Sequence, residues 1–219
     1  MTTRETPQLE SIGGWPFRVF QPPESESKDR LILLLHGHLG NENVMWVLTK
    51  PIPMSYTLLA PRAPVQTGPD QYSWHAVTPQ WPGIQTYRDL AIALLERTKE
   101  WAEMYGRPFR RIDVMGFSQG AVMALAMGIL FPEKIGKTAI LAGFLPQTWI
   151  SDLPSNANAL SGKPFFIAHG TRDEVVPVAK AHRAANWLKE KGAEVTLCEA
   201  DIGHKLSANC FNDLGNFFS

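Results

Sequence analysis

Leu31-Ile32-Leu33-Leu34-Leu35 is an unbroken apolar run that stops at His36-Gly37. A strand with one wet face alternates apolar and polar residues, so a run without a polar position belongs to a strand covered on both faces. Similar runs recur at 56–60, 112–115, 138–142 and 164–168, and 194–199 reads as a further strand in which Val195 and Leu197 alternate with polar neighbours. Helical patterns lie between them. Across 87–105 the apolar residues Tyr87, Leu90, Ala91, Leu94, Leu95, Trp101, Ala102 and Tyr105 follow a 3.6-residue period, and Gly106 supplies the stop. Residues 178–191, ended by Gly192, and 206–218 give two more helices. Residues 121–130 are apolar all round, which marks a helix buried on most sides. Strands alternating with helices predict an α/β fold built on a mainly parallel sheet. No repeat or low-complexity linker interrupts 1–219, so one domain is expected.

Composition narrows the partners. Lys+Arg 21 against Asp+Glu 21 leaves no net charge, which removes the basic footprint of a general nucleic-acid binder. No run approaches the ~18 apolar residues of a membrane span, so no integral membrane contact is expected. The first ten residues are polar and carry no apolar stretch of a secretory signal, and the expectation is a cytoplasmic protein. Two cysteines, Cys198 and Cys210, are too few for a disulfide framework and lack metal-site spacing; they read as a strand residue and a helix-face residue. One stretch resists the alternation. Residues 51–83 hold seven prolines together with Tyr72, Trp74 and Trp81, a composition that suits either an ordered loop lining a site or a packed surface loop.

The chemistry concentrates after the strand at 112–115. It runs into Gly116-Phe117-Ser118-Gln119-Gly120, and the buried helix follows at once. This is a G-x-S-x-G pattern in the strand–turn–helix context that gives it meaning: the serine sits on a sharp turn, and the glycines leave room for neighbouring backbone. A serine hydroxyl needs a base. His36 and His169 each close an apolar strand and read as turn organisers, His182 lies on a polar helix face, and His38 and His75 lie in loops. His204 follows the last strand, downstream of the serine, where the triad order of such folds puts the base. Asp173 lies just past the carboxyl end of the strand at 164–168 and is preferred to Asp152 and Asp201 as the acid. The backbone N–H of Gln119 is one oxyanion donor, and the second comes from the loop after His36-Gly37, with His38 first and Leu39 as the alternative. His36-x-His38 is half a zinc pattern with no third ligand at short spacing, so no metal is expected.

These residues resemble the α/β-hydrolase superfamily and, within it, the phospholipase/carboxylesterase family that includes acyl-protein thioesterases. The resemblance rests on Leu34-Leu35-His36-Gly37, the Gly116–Ala121 block, Leu141-Ala142-Gly143-Phe144-Leu145-Pro146, His169-Gly170-Thr171-Arg172-Asp173-Glu174-Val175-Val176-Pro177 and Gly203-His204. It implies an α/β-hydrolase fold with little or no lid, a Ser118–Asp173–His204 triad, and donors at Gln119 and His38. It further implies hydrolysis of a small ester or thioester through an acyl-enzyme, without a cofactor. The sequence departs from the family at His36-Gly37-His38-Leu39-Gly40, where His-Gly-x-Gly is usual, and at His75-Ala76, where an aromatic and an acidic residue are usual. Carboxylesterase activity on short to medium acyl chains is the leading reading; acyl-protein thioesterase or lysophospholipase activity, acyl transfer or lyase chemistry at the same serine, and an inert ligand-binding protein on the same fold are the alternatives. Trp74, His75, Trp81, Phe144 and Leu145 are the expected pocket walls. Seven Trp and eleven Phe exceed the needs of a core, which an apolar mouth or a homodimer face would explain. Activity is expected to rise with pH through an apparent pKa near ~6.5–7, because the base must be neutral.

Overall fold

The computed structural model describes residues 6–25, 29–76, 78–153 and 155–219. Its strands are β1 (Gln8–Ile12), β2 (Trp15–Phe20), β3 (Arg30–Leu35), β4 (Tyr56–Pro61), β5 (Val65–Gly68), β6 (Gln71–Ser73), β7 (Ile112–Phe117), β8 (Ile135–Leu141), β9 (Pro164–Gly170) and β10 (Glu194–Ala200). Its α-helices are α1 (Ile84–Met104), α2 (Gln119–Leu130), α3 (Val178–Glu190) and α4 (Ala208–Phe218). Eight strands form one sheet in the order β1-β2-β4-β3-β7-β8-β9-β10. From β4 to β10 neighbouring strands run parallel, while β1 and β2 enter antiparallel at the edge.

The apolar runs explain the layering. On β3, Leu31, Leu33 and Leu35 face one core and Ile32 and Leu34 the other, all five almost free of solvent. On β9, Phe165 and Ile167 point one way and Phe166 and Ala168 the other. Helices α1, α2 and α3 cover the first face, and α4 with the 3-10 turn Val44–Leu48 covers the second. Helix α2 lies between the sheet and α1 and is buried from Gln119 to Ile129, as its lack of a polar face requires.

The β1–β2 hairpin lies outside the predicted elements, because its residues are only partly apolar and turn on Gly13-Gly14, both at positive φ. The proline-rich segment is more ordered than a loop. It contains β4, which joins the large sheet, and the β5–β6 hairpin, whose turn carries Pro69 and places Asp70 at φ 53°. Among the described residues no helix is long and apolar enough to cross a membrane.

The two cysteines correct the sequence expectation. Cys198 does lie on β10 and Cys210 on α4, but they are joined in a disulfide with Cα atoms 5.6 Å apart. The absence of a framework says nothing against one cross-link between adjacent elements. The ring it closes contains residue 204.

Candidate active site

Ser118 occupies the turn between β7 and α2 at φ 54° and ψ −117°, outside the conformations an L-residue adopts freely. Two glycines make the turn possible. A Cβ on Gly116 would lie 2.0 Å from the carbonyl oxygen of Gly120, and one on Gly120 would lie 2.1 Å from that of Leu35. The Ser118 N–H donates to Leu141 O at 2.9 Å, tying the turn to β8.

Two loops at the carboxyl ends of β9 and β10 supply its partners. They meet backbone to backbone: a Cβ on Gly170 would lie 2.2 Å from Gly203 O, and the Arg172 N–H donates to Ile202 O at 3.0 Å. His204 is thereby brought to Ser118, with its Nε2 3.0 Å from Oγ, while its Nδ1 lies 2.6 Å from Asp173 Oδ2. The other oxygen, Oδ1, accepts from the N–H groups of Val175 and Val176 at 2.9 and 2.8 Å. Burial by itself raises the pKa of Asp173, but the Val176 N–H, the His204 ring and the Val175 N–H outweigh it and hold the carboxyl below the ordinary range. An ionised Asp173 selects the tautomer with a proton on Nδ1, which leaves Nε2 free to accept from the serine hydroxyl. The alternatives are occupied elsewhere. His182 pairs with Glu199, Asp201 with Arg172 at the surface, and Asp152 is exposed at the end of a 3-10 turn.

The backbone N–H groups proposed as oxyanion donors differ in how they are bonded. The Leu39 N–H is spent on Tyr72 O at 3.0 Å, whereas those of His38 and Gln119 meet no acceptor among the described residues. Gly37 brings the His38 peptide close, since a Cβ there would lie 3.3 Å from the Cβ of Ser118. The Gln119 side chain is fully committed. Its oxygen accepts from the Trp74 N–H at 3.0 Å, and its NH2 donates to Ser73 Oγ at 2.9 Å and to His75 Nε2 at 3.0 Å. His75 must therefore carry its proton on Nδ1, which donates to Ala76 O at 2.8 Å. Burial lowers its pKa and keeps it neutral.

His36 is wholly buried behind the same loop, with Nε2 accepting from the Ala63 N–H at 3.0 Å and Nδ1 donating to Gly37 O at 2.7 Å. Burial pushes its pKa from 6.5 down to about 4. The unfolded chain takes up this proton as pH falls through ~6.5, and the folded chain refuses it until about 4. Its contribution to stability is thus complete above ~6.5 and lost progressively between there and about 4, reaching about 3 kcal/mol. Urea midpoints measured from pH 7 down to 4 should show this loss, and His36→Gln should flatten it.

The expected pocket walls divide. His75, Trp81 and Phe144 line a cavity of about 310 Å³ beside Ser118. Trp74 and Leu145 do not: Trp74 is 1% exposed with its indole N–H on His36 O, and Leu145 is 8% exposed and belongs to the core. A second cavity, of about 460 Å³, lies on the other side of Ser118. Leu39, Val44, Val47, Leu48, Phe117 and Leu206 supply much of its wall. The apolar run Val44-Met45-Trp46-Val47-Leu48, so soon after His36-Gly37, was its signal in the sequence.

A mainly parallel sheet between helix layers, with a serine on a tight turn at a strand's carboxyl end, defines an α/β-hydrolase fold. The chain belongs to the phospholipase/carboxylesterase family, whose pattern matches residues 18–219. It is 27% identical over 201 residues to the acyl-protein thioesterase 1 of Eremothecium gossypii, covering 83% of each chain. Among solved structures, a Bacillus cereus carboxylesterase superposes with a TM-score of 0.80 at 20% identity, over 93% of both chains. A Mesorhizobium loti carboxylesterase gives 0.79 at 21% identity, over 97% of this chain and 98% of its own. At these identities the two structures speak for the fold.

Proposed function

We propose that this protein is a serine hydrolase that cleaves carboxylic esters or thioesters through an acyl-enzyme. The contact of His204 Nε2 with Ser118 Oγ at 3.0 Å, with Asp173 behind the ring, carries the reading. Ser118 attacks the carbonyl carbon while its proton passes to His204, and Asp173 holds the resulting imidazolium. The N–H groups of Gln119 and His38 take the charge that develops on the carbonyl oxygen. As the tetrahedral intermediate collapses, the proton on His204 goes to the leaving alcohol or thiol; water then repeats the sequence on the acyl-enzyme. Ester and thioester differ only in the leaving atom, and the Eremothecium relative's name keeps the thioester alternative open.

Hydrolysis of p-nitrophenyl esters from acetate to dodecanoate tests the reading. Turnover should be seen for at least one chain length and should vanish when a serine-directed fluorophosphonate occupies Ser118. A protein that turns over none of these esters, or whose rate is untouched by the reagent, would falsify it.

A further inference from the structure

Ser118 and His38 are the two residues common to both cavities, so the scissile bond lies at the divide between them. The proton that frees the leaving group comes from His204, and a proton moves only over hydrogen-bond distance. His204 lines the larger cavity and not the smaller one, whereas Gln119 lines the smaller one. The leaving alcohol or thiol therefore extends into the larger cavity and the acyl group into the smaller.

The two cavities differ in chemistry. Around the larger one Leu39, Val44 and Val47 are large apolar side chains left exposed, Val47 by 76%, and its one lysine, Lys205, stands out in solvent. In the smaller one most of the polar side chains are spent: Gln119 and His75 on each other and their neighbours, Thr78 on Gln80 O. The ammonium of Lys180 is not. It is half-buried, turned onto the ring of Phe144 with Nζ 4.7 Å from its centroid, and pairs with no carboxylate among the described residues. Among the described residues no carboxylate lines that cavity. An ammonium held against an aromatic wall beside the reacting serine is a receptor for negative charge.

Resting on the serine-hydrolase reading above, we propose that the substrate is an ester or thioester with an apolar leaving group and an acyl half that ends in an anionic group, such as a carboxylate, facing Lys180. The reaction is the same hydrolysis, and its acid product is then a dianion at neutral pH, formed with release of one proton. Lys180 is a specificity residue acting on the far end of the acyl group.

The test compares hexyl half-esters of succinic, glutaric and adipic acids with hexyl butyrate, valerate and hexanoate. For at least one chain length the half-ester should have about tenfold the kcat/KM of its neutral counterpart. Lys180→Met should lower that ratio about tenfold, and Lys180→Arg should retain most of it. A wild-type ratio of one or less at every length, or a ratio unmoved by Lys180→Met, overturns the proposal while leaving the hydrolase reading intact. Failure to turn over any ester removes both.

Discussion

Ser118→Ala should lower kcat/KM for p-nitrophenyl butyrate by roughly 10⁴-fold or more, with the fold unchanged. The size follows from what the hydroxyl does. Without Oγ no acyl-enzyme forms, and any residual rate comes from water attacking a carbonyl polarised by the Gln119 and His38 N–H groups. His204→Ala should cost a similar factor, since a serine without its base remains a weak nucleophile. The double variant should be little worse than either single one, because the residues act as a unit. Stopped assays at high enzyme concentration measure the residual rates, and far-ultraviolet circular dichroism checks the fold. A Ser118→Ala protein keeping a tenth of wild-type turnover would remove that serine from the chemistry.

Gly120→Ala is expected to abolish the native fold or to destabilise it by more than about 3 kcal/mol. Its methyl group would lie 2.1 Å from Leu35 O and 2.4 Å from His36 O, which are backbone atoms at the end of a buried strand. Relief requires β3 to separate from α2, and α2 is packed on every side. Gly83 makes the control. It caps α1 at φ −63°, and nothing lies within 4 Å of an added Cβ, so Gly83→Ala should change stability by less than about 0.5 kcal/mol. Equilibrium urea unfolding of the pair measures the contrast. Wild-type stability in Gly120→Ala would mean that the turn can open, and the account of the serine's strained position would have to be withdrawn.

The central strands were legible because burial on both faces forces continuous apolar runs, and few other structures do. Ser118, Asp173 and His204 were legible because each follows a strand end and their chain order is constrained. What escaped depends on pairings made far along the chain. What distinguishes His38 from Leu39 is Tyr72, thirty-odd residues away, whose carbonyl takes the Leu39 N–H. Trp74 looked like a pocket wall because it sits in a proline-rich stretch, yet its indole is drawn into the core by the His36 carbonyl. Leu145 follows Phe144 in sequence but turns away from the cavity. The hairpin of β1 and β2 is an edge feature with weak apolar content, so no periodicity announced it.

The cross-link between Cys198 and Cys210 has a bearing on kinetics as well as on folding. It closes a ring of chain in which His204 stands midway between strand and helix, anchored at both ends. Opening that ring would leave the contacts with Asp173 and Ser118, the packing on the Phe117 ring and the backbone bonds to the neighbouring loop to hold the imidazole. The disulfide thus ties together the two elements that flank the candidate base. Disulfides persist in oxidising surroundings and are reduced in thiol-rich ones. Comparison of turnover between preparations with and without reductant therefore needs the thiol content stated beside the rate.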